Sequence, residues 1–179
     1  MRSLPIFLLA VSASLFAQGA DEALRARIVE TAQRYKGVPY VYGAESPGAF
    51  DCSGFVHYVY LKAAELSLPR NSREQWAAGA PIKMDAARAG DVLVFDTTGG
   101  GGPSHVAIFL GEGKLIHAVS EGPVTGVIVS ALSDRYFGPR LLGARVFLAA
   151  ATTAAPAPPK PAVPPATGGT AAAGAPAPT

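Results

Sequence analysis

The chain has 179 residues, of which nearly half are hydrophobic, so it is long enough for one domain with a buried core. Its formal net charge is only +2 and it has no run of basic residues, which argues against nucleic acid as a partner. A single cysteine, Cys52, excludes an internal disulfide. That thiol is therefore buried and inert, bridged to another molecule, or chemically active.

The first 20 residues have the pattern of a secretory signal peptide. A short cationic start at Arg2 is followed by an apolar run from Leu4 to Phe16 and by small residues around Gly19. A bilayer crossing takes about 20 apolar residues, so this run is too short for stable membrane insertion. A buried first helix is the alternative. We predict that residues 1–20 direct export and that the protein is periplasmic or secreted.

Helices are predicted in the part of the chain that follows. Apolar side chains recur at helical spacing over residues 21–35 and again over residues 52–66. A loop rich in glycine and proline, residues 37–49, separates these two segments. Asn71 can cap a further short helix, with Glu74 at the third position after it.

The next part predicts an antiparallel sheet of short strands. Five apolar runs are separated by turn-forming segments, and a run of four glycines precedes the second of them. The runs cover residues 91–95, 105–110, 114–118, 126–130 and 144–148. The predicted fold class is therefore α+β, with N-terminal helices packed on a central antiparallel β-sheet.

The composition changes at about residue 150. The remainder is almost entirely alanine, proline, threonine and glycine, which cannot bury enough apolar surface to fold. We therefore predict one folded domain over residues 21–149 and a disordered tail over residues 150–179. The tail is either a passive extension or a contact for a partner in the cell envelope.

Cys52 is placed by the sequence in the first turn of its helix, with Asp51 as the N-cap. Free backbone N–H groups at a helix start stabilise an anion, so this position favours a thiolate. A reactive thiolate also needs a base and a group that orients the base. His105 and His117, far downstream, are the candidates for those two roles.

The register of one hairpin decides whether the two histidines meet. If its loop is centred on Glu112, then His117 faces Ala107 across the hairpin. His105 shares a face with Ala107, so the two histidines become diagonal neighbours with backbones about 7 Å apart. A two-residue loop would shift the pairing by one residue and put the histidines on opposite faces.

The first register brings together a set of residues suited to thiol-dependent acyl transfer. Cys52 would be the nucleophile, His105 the general base and His117 the residue that orients it. Three structural alternatives remain. Cys52 could be an inert core cysteine, and His105 could be a structural histidine whose hydrogen bonds are made at the end of a sheet. Cys52, His105 and His117 could also bind zinc, although the sequence offers no obvious fourth ligand.

The ordered motifs resemble those of the NlpC/P60 cell-wall peptidases. They occur in sequence between about residues 24 and 147, with ordinary spacings, and only two glycines common in the family are replaced, by Ala44 and Ala107. The matching segments are Pro39-Tyr40, Gly43, Phe50-Asp51-Cys52-Ser53-Gly54-Phe55-Val56, Leu68-Pro69-Arg70-Asn71-Ser72, Gln75, Ala89-Gly90-Asp91-Val92, His105-Val106-Ala107-Ile108-Phe109-Leu110-Gly111 and Ile116-His117-Ala118.

The resemblance implies a papain-like α+β fold and an exported thiol endopeptidase without metal or cofactor. Its substrate would be the stem peptide of peptidoglycan, cut at the bond between γ-D-glutamate and the diamino acid. The resemblance implies a catalytic triad of Cys52, His105 and His117. It also implies four residues near the substrate or the oxyanion: Tyr40, Asp51, Ser53 and Arg70.

Other roles stay open for several of these residues and for the chain. Tyr40 is alternatively a core tyrosine, Asp51 only a helix cap and Arg70 only a partner in a structural ion pair. The chain as a whole is alternatively a non-catalytic envelope module that binds stem peptides, or a related thiol amidase or acyltransferase.

Overall fold

The computed structural model describes residues 7–148, and the side chains of residues 18–148. The predicted tail and the first six residues of the predicted signal peptide lie outside the described residues. Helices α1 (Phe7–Arg34), α2 (Cys52–Ala64) and α3 (Ser72–Ala78) occur within this range. The strands are β1 (Glu45–Ser46), β2 (Ala49–Phe50), β3 (Ala80–Ile82), β4 (Val92–Phe95), β5 (His105–Gly111), β6 (Lys114–Val119), β7 (Gly126–Ala131) and β8 (Leu141–Val146).

Six strands form one antiparallel sheet in the order β3-β8-β4-β5-β6-β7, and β1 pairs with β2 separately. The predicted α+β class with an antiparallel sheet is therefore confirmed. All five predicted strands occur, with ends that differ by a few residues. β3 was not predicted, because its three residues include Pro81 and so lack an ordinary strand pattern. A proline is tolerated there because β3 is an edge strand.

The first helix is longer than predicted. It begins at Phe7 rather than at residue 21, because residues 7–34 contain no proline and only one glycine, Gly19, to interrupt them. No helix in the described range combines the length and the apolar composition that a membrane crossing requires. The signal peptide stays a prediction.

The larger core lies between the helices and one face of the sheet. Ile28 of α1 and Phe55 and Val59 of α2 pack in the same cluster as Val94 of β4 and Ile108 of β5. These side chains are fully shielded from solvent. Each side chain of this size stabilises the fold by about 1.5–3 kcal/mol when it is buried, so this layer holds α2 firmly against the strands.

The opposite face of the sheet carries a smaller core and the two histidines. Leu93, Phe95 and Leu115 form this second cluster with Phe137 packed against it. Side chains alternate faces along a strand, so His105 lies on this face while its neighbour Val106 points to the helices. The two histidines therefore lie beside the smaller core, in contact with Phe137.

The start of α2 is fixed by a close backbone contact at Gly54. A Cβ atom at this position would lie 2.2 Å from the carbonyl oxygen of Ala44. That oxygen cannot move freely, because it accepts hydrogen bonds from the Asp51 N–H at 2.9 Å and from Arg70 at 3.1 Å. Glycine is therefore required two residues after Cys52 for the loop before the helix to pack against it.

We predict that Gly54→Ala lowers the free energy of unfolding by about 1–3 kcal/mol, because the added methyl group collides with an anchored backbone atom. Chemical denaturation of the purified variant and the parent protein measures this difference. Gly48→Ala is the matched control, since a Cβ there meets no atom within 4 Å and the residue has no positive φ. A Gly54→Ala protein as stable as the control would contradict the packing argument.

Candidate active site

Cys52 is the first residue of α2 and is capped by Asp51, as predicted. The Asp51 carboxylate accepts a hydrogen bond from the Gly54 N–H at 2.6 Å. The main-chain N–H groups of Val106, Ser53 and Cys52 contact the thiol and act to lower its pKa. Burial and then the negative charge of Asp51 act in the opposite direction and prevail, so the pKa of Cys52 is raised.

The prediction that the helix start ionises the thiol is therefore wrong for the unliganded protein. The capping geometry is present, but the prediction did not take into account burial and the charge of Asp51, which both raise the pKa of the thiol. The thiol is shielded from water, and the carboxylate that caps the helix is also its immediate neighbour in sequence. In this structure Cys52 rests as a neutral thiol at neutral pH.

The two downstream histidines are hydrogen-bonded to each other, His105 Nε2 to His117 Nδ1 at 2.8 Å. The register pairs Ile108 with Ile116 and Phe109 with Leu115, which is the register predicted for a loop centred on Glu112. The predicted meeting of His105 and His117 on one face is therefore confirmed.

The route to this register differs from the prediction. Gly111 pairs with Lys114, so the loop itself has two residues, Glu112 and Gly113, both with positive φ. A two-residue loop alone would separate the histidines, but the register shifts between Phe109 and Gly111. This irregularity adds one residue to β5 and restores the pairing that brings the histidines together.

Both imidazoles are neutral at neutral pH because they are buried. Burial lowers the pKa of His105 to about 4. Burial, and then the charge that His105 carries when protonated, lowers the pKa of His117. Since Nε2 of His105 is engaged with His117, Nδ1 is the nitrogen that remains available to accept a proton.

Two further residues contact the histidine pair. Ser130 Oγ lies 2.9 Å from His117 Nε2, so both ring nitrogens of His117 are hydrogen-bonded. The ring of Phe137 packs edge-on against His117, with the ring centroids 4.5 Å apart. Neither residue was predicted. Alternation along β7 could have indicated Ser130, because it puts residues 128 and 130 on the same face of the sheet as His117.

Cys52 and His105 line one open cleft of about 930 Å³, together with Tyr40, Ser130 and Phe137. His117 is fully buried behind His105 and is not part of the cleft wall. The charged side chains on the wall are Lys36, Glu121 and Asp134. The arrangement thus presents a thiol and a neutral imidazole to a cavity large enough for part of a peptide.

Tyr40 is held on the cleft wall by backbone pairing on both sides of it. Before it, Pro39 O accepts a hydrogen bond from the Phe50 N–H at 3.1 Å, and after it the Val41 N–H donates to Phe50 O at 3.1 Å. Burial and then the proximity of Cys52 raise the pKa of the Tyr40 phenol, so it is a hydrogen-bond donor at neutral pH.

The other predicted residues, Asp51, Ser53 and Arg70, meet in a network that is not part of the cleft wall. Arg70 donates to the two carboxylate oxygens of Asp51 at 2.9 and 2.8 Å and to Ser53 Oγ at 3.1 Å. Burial acts to raise the pKa of Asp51, but the hydrogen bonds from Arg70 and Gly54 outweigh it and hold that pKa below its ordinary value. The network fixes the start of α2, and through it the position of Cys52.

No group of three or more His, Cys, Asp and Glu side chains within the described part of the chain is arranged to hold a metal ion. The histidines use the nitrogens that face each other for their mutual hydrogen bond. The titratable groups nearest the proposed chemistry on the cleft wall are the Cys52 thiol and the His105 imidazole.

Comparisons with known proteins find the same family in sequence and in structure. The model of the NlpC/P60 family matches residues 37–146. The gamma-DL-glutamyl hydrolase of Bacillus subtilis (strain 168) is 40% identical over 121 residues, which are 67% of this chain and 29% of that protein. The probable peptidoglycan endopeptidase LytE of the same organism is 38% identical over 122 residues, covering 68% of this chain and 34% of that protein.

The crystal structure of the NlpC/p60 domain of peptidoglycan hydrolase SagA resembles this chain with a TM-score of 0.59 and 38% identity, covering 69% of this chain and 98% of that one. The chain spans about a third of the length of the two Bacillus relatives. The family match covers more than half of the chain and includes the cysteine, both histidines and the six-stranded sheet up to Val146. This protein therefore belongs to the NlpC/P60 family.

Proposed function

We propose that this protein is a thiol endopeptidase that hydrolyses the stem peptides of peptidoglycan. The observation that carries the proposal is the hydrogen bond between His105 and His117 beside a cleft whose wall includes Cys52. A neutral imidazole oriented by a second buried side chain is the arrangement that general-base activation of a nucleophile needs. The named activities of the two Bacillus relatives and of SagA support the substrate class.

The first half of the reaction forms a thioester. His105 Nδ1 takes the proton of the Cys52 thiol as the sulfur attacks the carbonyl carbon of the scissile amide. The oxygen of the tetrahedral intermediate is stabilised by main-chain N–H groups at the start of α2, those of Cys52 and Ser53, and by the phenol of Tyr40. The imidazolium of His105 then protonates the departing amine, and the C–N bond breaks.

The second half uses water. His105, neutral again, accepts a proton from a water molecule as its oxygen attacks the thioester carbonyl. The second tetrahedral intermediate collapses, the carboxylic acid leaves, and the sulfur recovers the proton from His105. His117 keeps the imidazole ring aligned throughout, while Asp51 and Arg70 act through the position of the helix start.

The bond we propose is the one between γ-D-glutamate and the diamino acid. The support is the B. subtilis relative named for hydrolysis of γ-glutamyl linkages, which matches 67% of this chain. We also propose that residues 1–20 direct export and that residues 21–149 form the catalytic domain in the envelope or outside the cell, followed by the tail over residues 150–179.

We predict that Cys52→Ala lowers the rate of stem-peptide hydrolysis by at least about 10³-fold, because the attacking atom is removed. The measurement is mass spectrometry of the products from purified muropeptides, which identifies the bond that is cut. Hydrolysis adds the elements of water across that bond, whereas an acyltransferase adds an amine or alcohol. His57→Gln is a control, since His57 bonds the Leu68 carbonyl and is not part of the cleft wall.

Three results would contradict this proposal. A Cys52→Ala protein that still hydrolyses the peptides would exclude the thiol mechanism. A parent protein that binds muropeptides without cleaving them would favour the non-catalytic envelope module. Products that carry an added amine would favour the acyltransferase.

We predict a bell-shaped dependence of kcat/KM on pH with limbs that lie far apart. The acid limb should lie near pH 4, where His105 becomes protonated and can no longer accept the thiol proton. The alkaline limb should follow the raised pKa of Cys52. Above that pKa the thiol has already lost its proton to solvent, so neither Cys52 nor the neutral His105 holds a proton for the leaving amine. Ultraviolet absorbance at neutral pH should show no thiolate in the free protein; a thiolate signal abolished by Cys52→Ala would contradict the neutral resting pair.

We predict that stability falls as the pH drops below about 6.5, the ordinary pKa of histidine. The folded protein holds His105 and His117 at lowered pKa values, so the unfolded chain binds more protons between about pH 6.5 and pH 4. Their contribution is complete above pH 6.5 and is lost through that window. Urea denaturation at several pH values measures it, and His117→Asn should flatten the slope. An equal slope in parent and variant would contradict the assignment.

A further inference from the structure

We propose that Ser130 is a positioning residue that selects the tautomer of the histidine pair and so keeps the lone pair of His105 Nδ1 free for the thiol proton. The inference rests on the proposed function for the role of His105 as the base. It adds a residue that acts on the base through His117.

The geometry is a continuous line of polar atoms across three neighbouring strands. His105 of β5 bonds to His117 of β6 at 2.8 Å, and His117 bonds to Ser130 of β7 at 2.9 Å. His117 pairs directly with Ile128, so Ser130 is its diagonal neighbour on the same face of the sheet. The strand pairing therefore sets the second hydrogen bond in the same way that it sets the first.

The protons in this line can point in only two directions while both rings are neutral. In one, each Nε2 carries the proton, His105 donates to His117, and His117 donates to Ser130 Oγ. In the other, Ser130 donates to His117, His117 donates through Nδ1 to His105 Nε2, and His105 carries its own proton on Nδ1. Only the first direction leaves His105 Nδ1 able to accept a proton from Cys52.

Ser130 Oγ is the acceptor that makes the first direction favourable. His117 is fully buried and Phe137 packs on its ring, so solvent has poor access to a proton on Nε2. Without the hydroxyl, that N–H would be a buried donor without an acceptor, which is strongly unfavourable. An unprotonated Nε2 is the better state in that case. Both rings then change to the Nδ1–H form, and the base is blocked.

The test combines nitrogen NMR with kinetics on the full chain. In protein labelled with ¹⁵N in its histidine rings, His105 and His117 should both show the Nε2–H tautomer, with His57 as a third ring for reference. Ser130→Ala should shift both rings toward Nδ1–H and should lower kcat about tenfold, with KM within about twofold of the parent. Ser130→Thr keeps a hydroxyl at the same place and should restore both readouts.

Ser133→Ala is the matched control, because Ser133 is exposed on the turn after β7 and should change neither tautomer nor kcat. Three outcomes would overturn the proposal: Nδ1–H tautomers in the parent protein, unchanged ¹⁵N shifts in Ser130→Ala, or a rise in KM at constant kcat, which would make Ser130 a substrate contact. The NMR readout needs no substrate. A parent protein that cleaves no peptide would refute the proposed function, while the spectra would still decide the role of Ser130.

Discussion

The pairing register of β5 and β6 is the constraint on which the site depends. With Ile108 opposite Ile116, the two histidines come within hydrogen-bonding distance on one face of the sheet. A shift by one residue would move one imidazole to the helical face and abolish the pair. The shift in register before Gly111 prevents this, because the extra residue corrects the offset of the two-residue loop. This one-residue irregularity in β5 therefore determines that His105 and His117 lie on the same face of the sheet.

A second constraint places the thiol relative to this pair. The Asp51 carboxylate accepts hydrogen bonds from Gly43 and Gly54 and pairs with Arg70, so one charged group joins the loop before α2, its first turn and the segment after it. Because that carboxylate is surrounded by donors, it stays ionised while it is almost fully buried. These contacts fix the start of α2, and in the proposed mechanism they hold the Cys52 thiol near the geometry that attack on a substrate requires.

Much of this could be predicted from the sequence, and the remainder has physical reasons. Hydrophobic periodicity and helix caps are local properties of the sequence, so they predict α2, α3 and five of the strands. The predicted Asn71 cap is present, because its side chain accepts a hydrogen bond from the Glu74 N–H at 2.9 Å. The pKa of Cys52 was not predictable, because burial depends on the whole packed structure. Ser130 was missed because its hydrogen bond to His117 depends on the pairing of β7 with β6, which the spacing within the β5–β6 hairpin does not indicate.

Burial gives the site a resting state that differs from the ion pair expected for a thiol at a helix start. Desolvation acts on the thiol and on the imidazole in opposite directions, raising the pKa of Cys52 and lowering that of His105, and each shift favours the neutral form. In the mechanism we propose, proton transfer therefore accompanies attack on the substrate instead of preceding it. The proposed base is then the nitrogen of His105 that holds a free lone pair. In that proposal the direction of the protons along His105, His117 and Ser130 matters more than the charge of the imidazole. In the proposed site, the orientation of the neutral His105 ring, which the strand pairing sets, has the part that a thiolate–imidazolium ion pair would otherwise have.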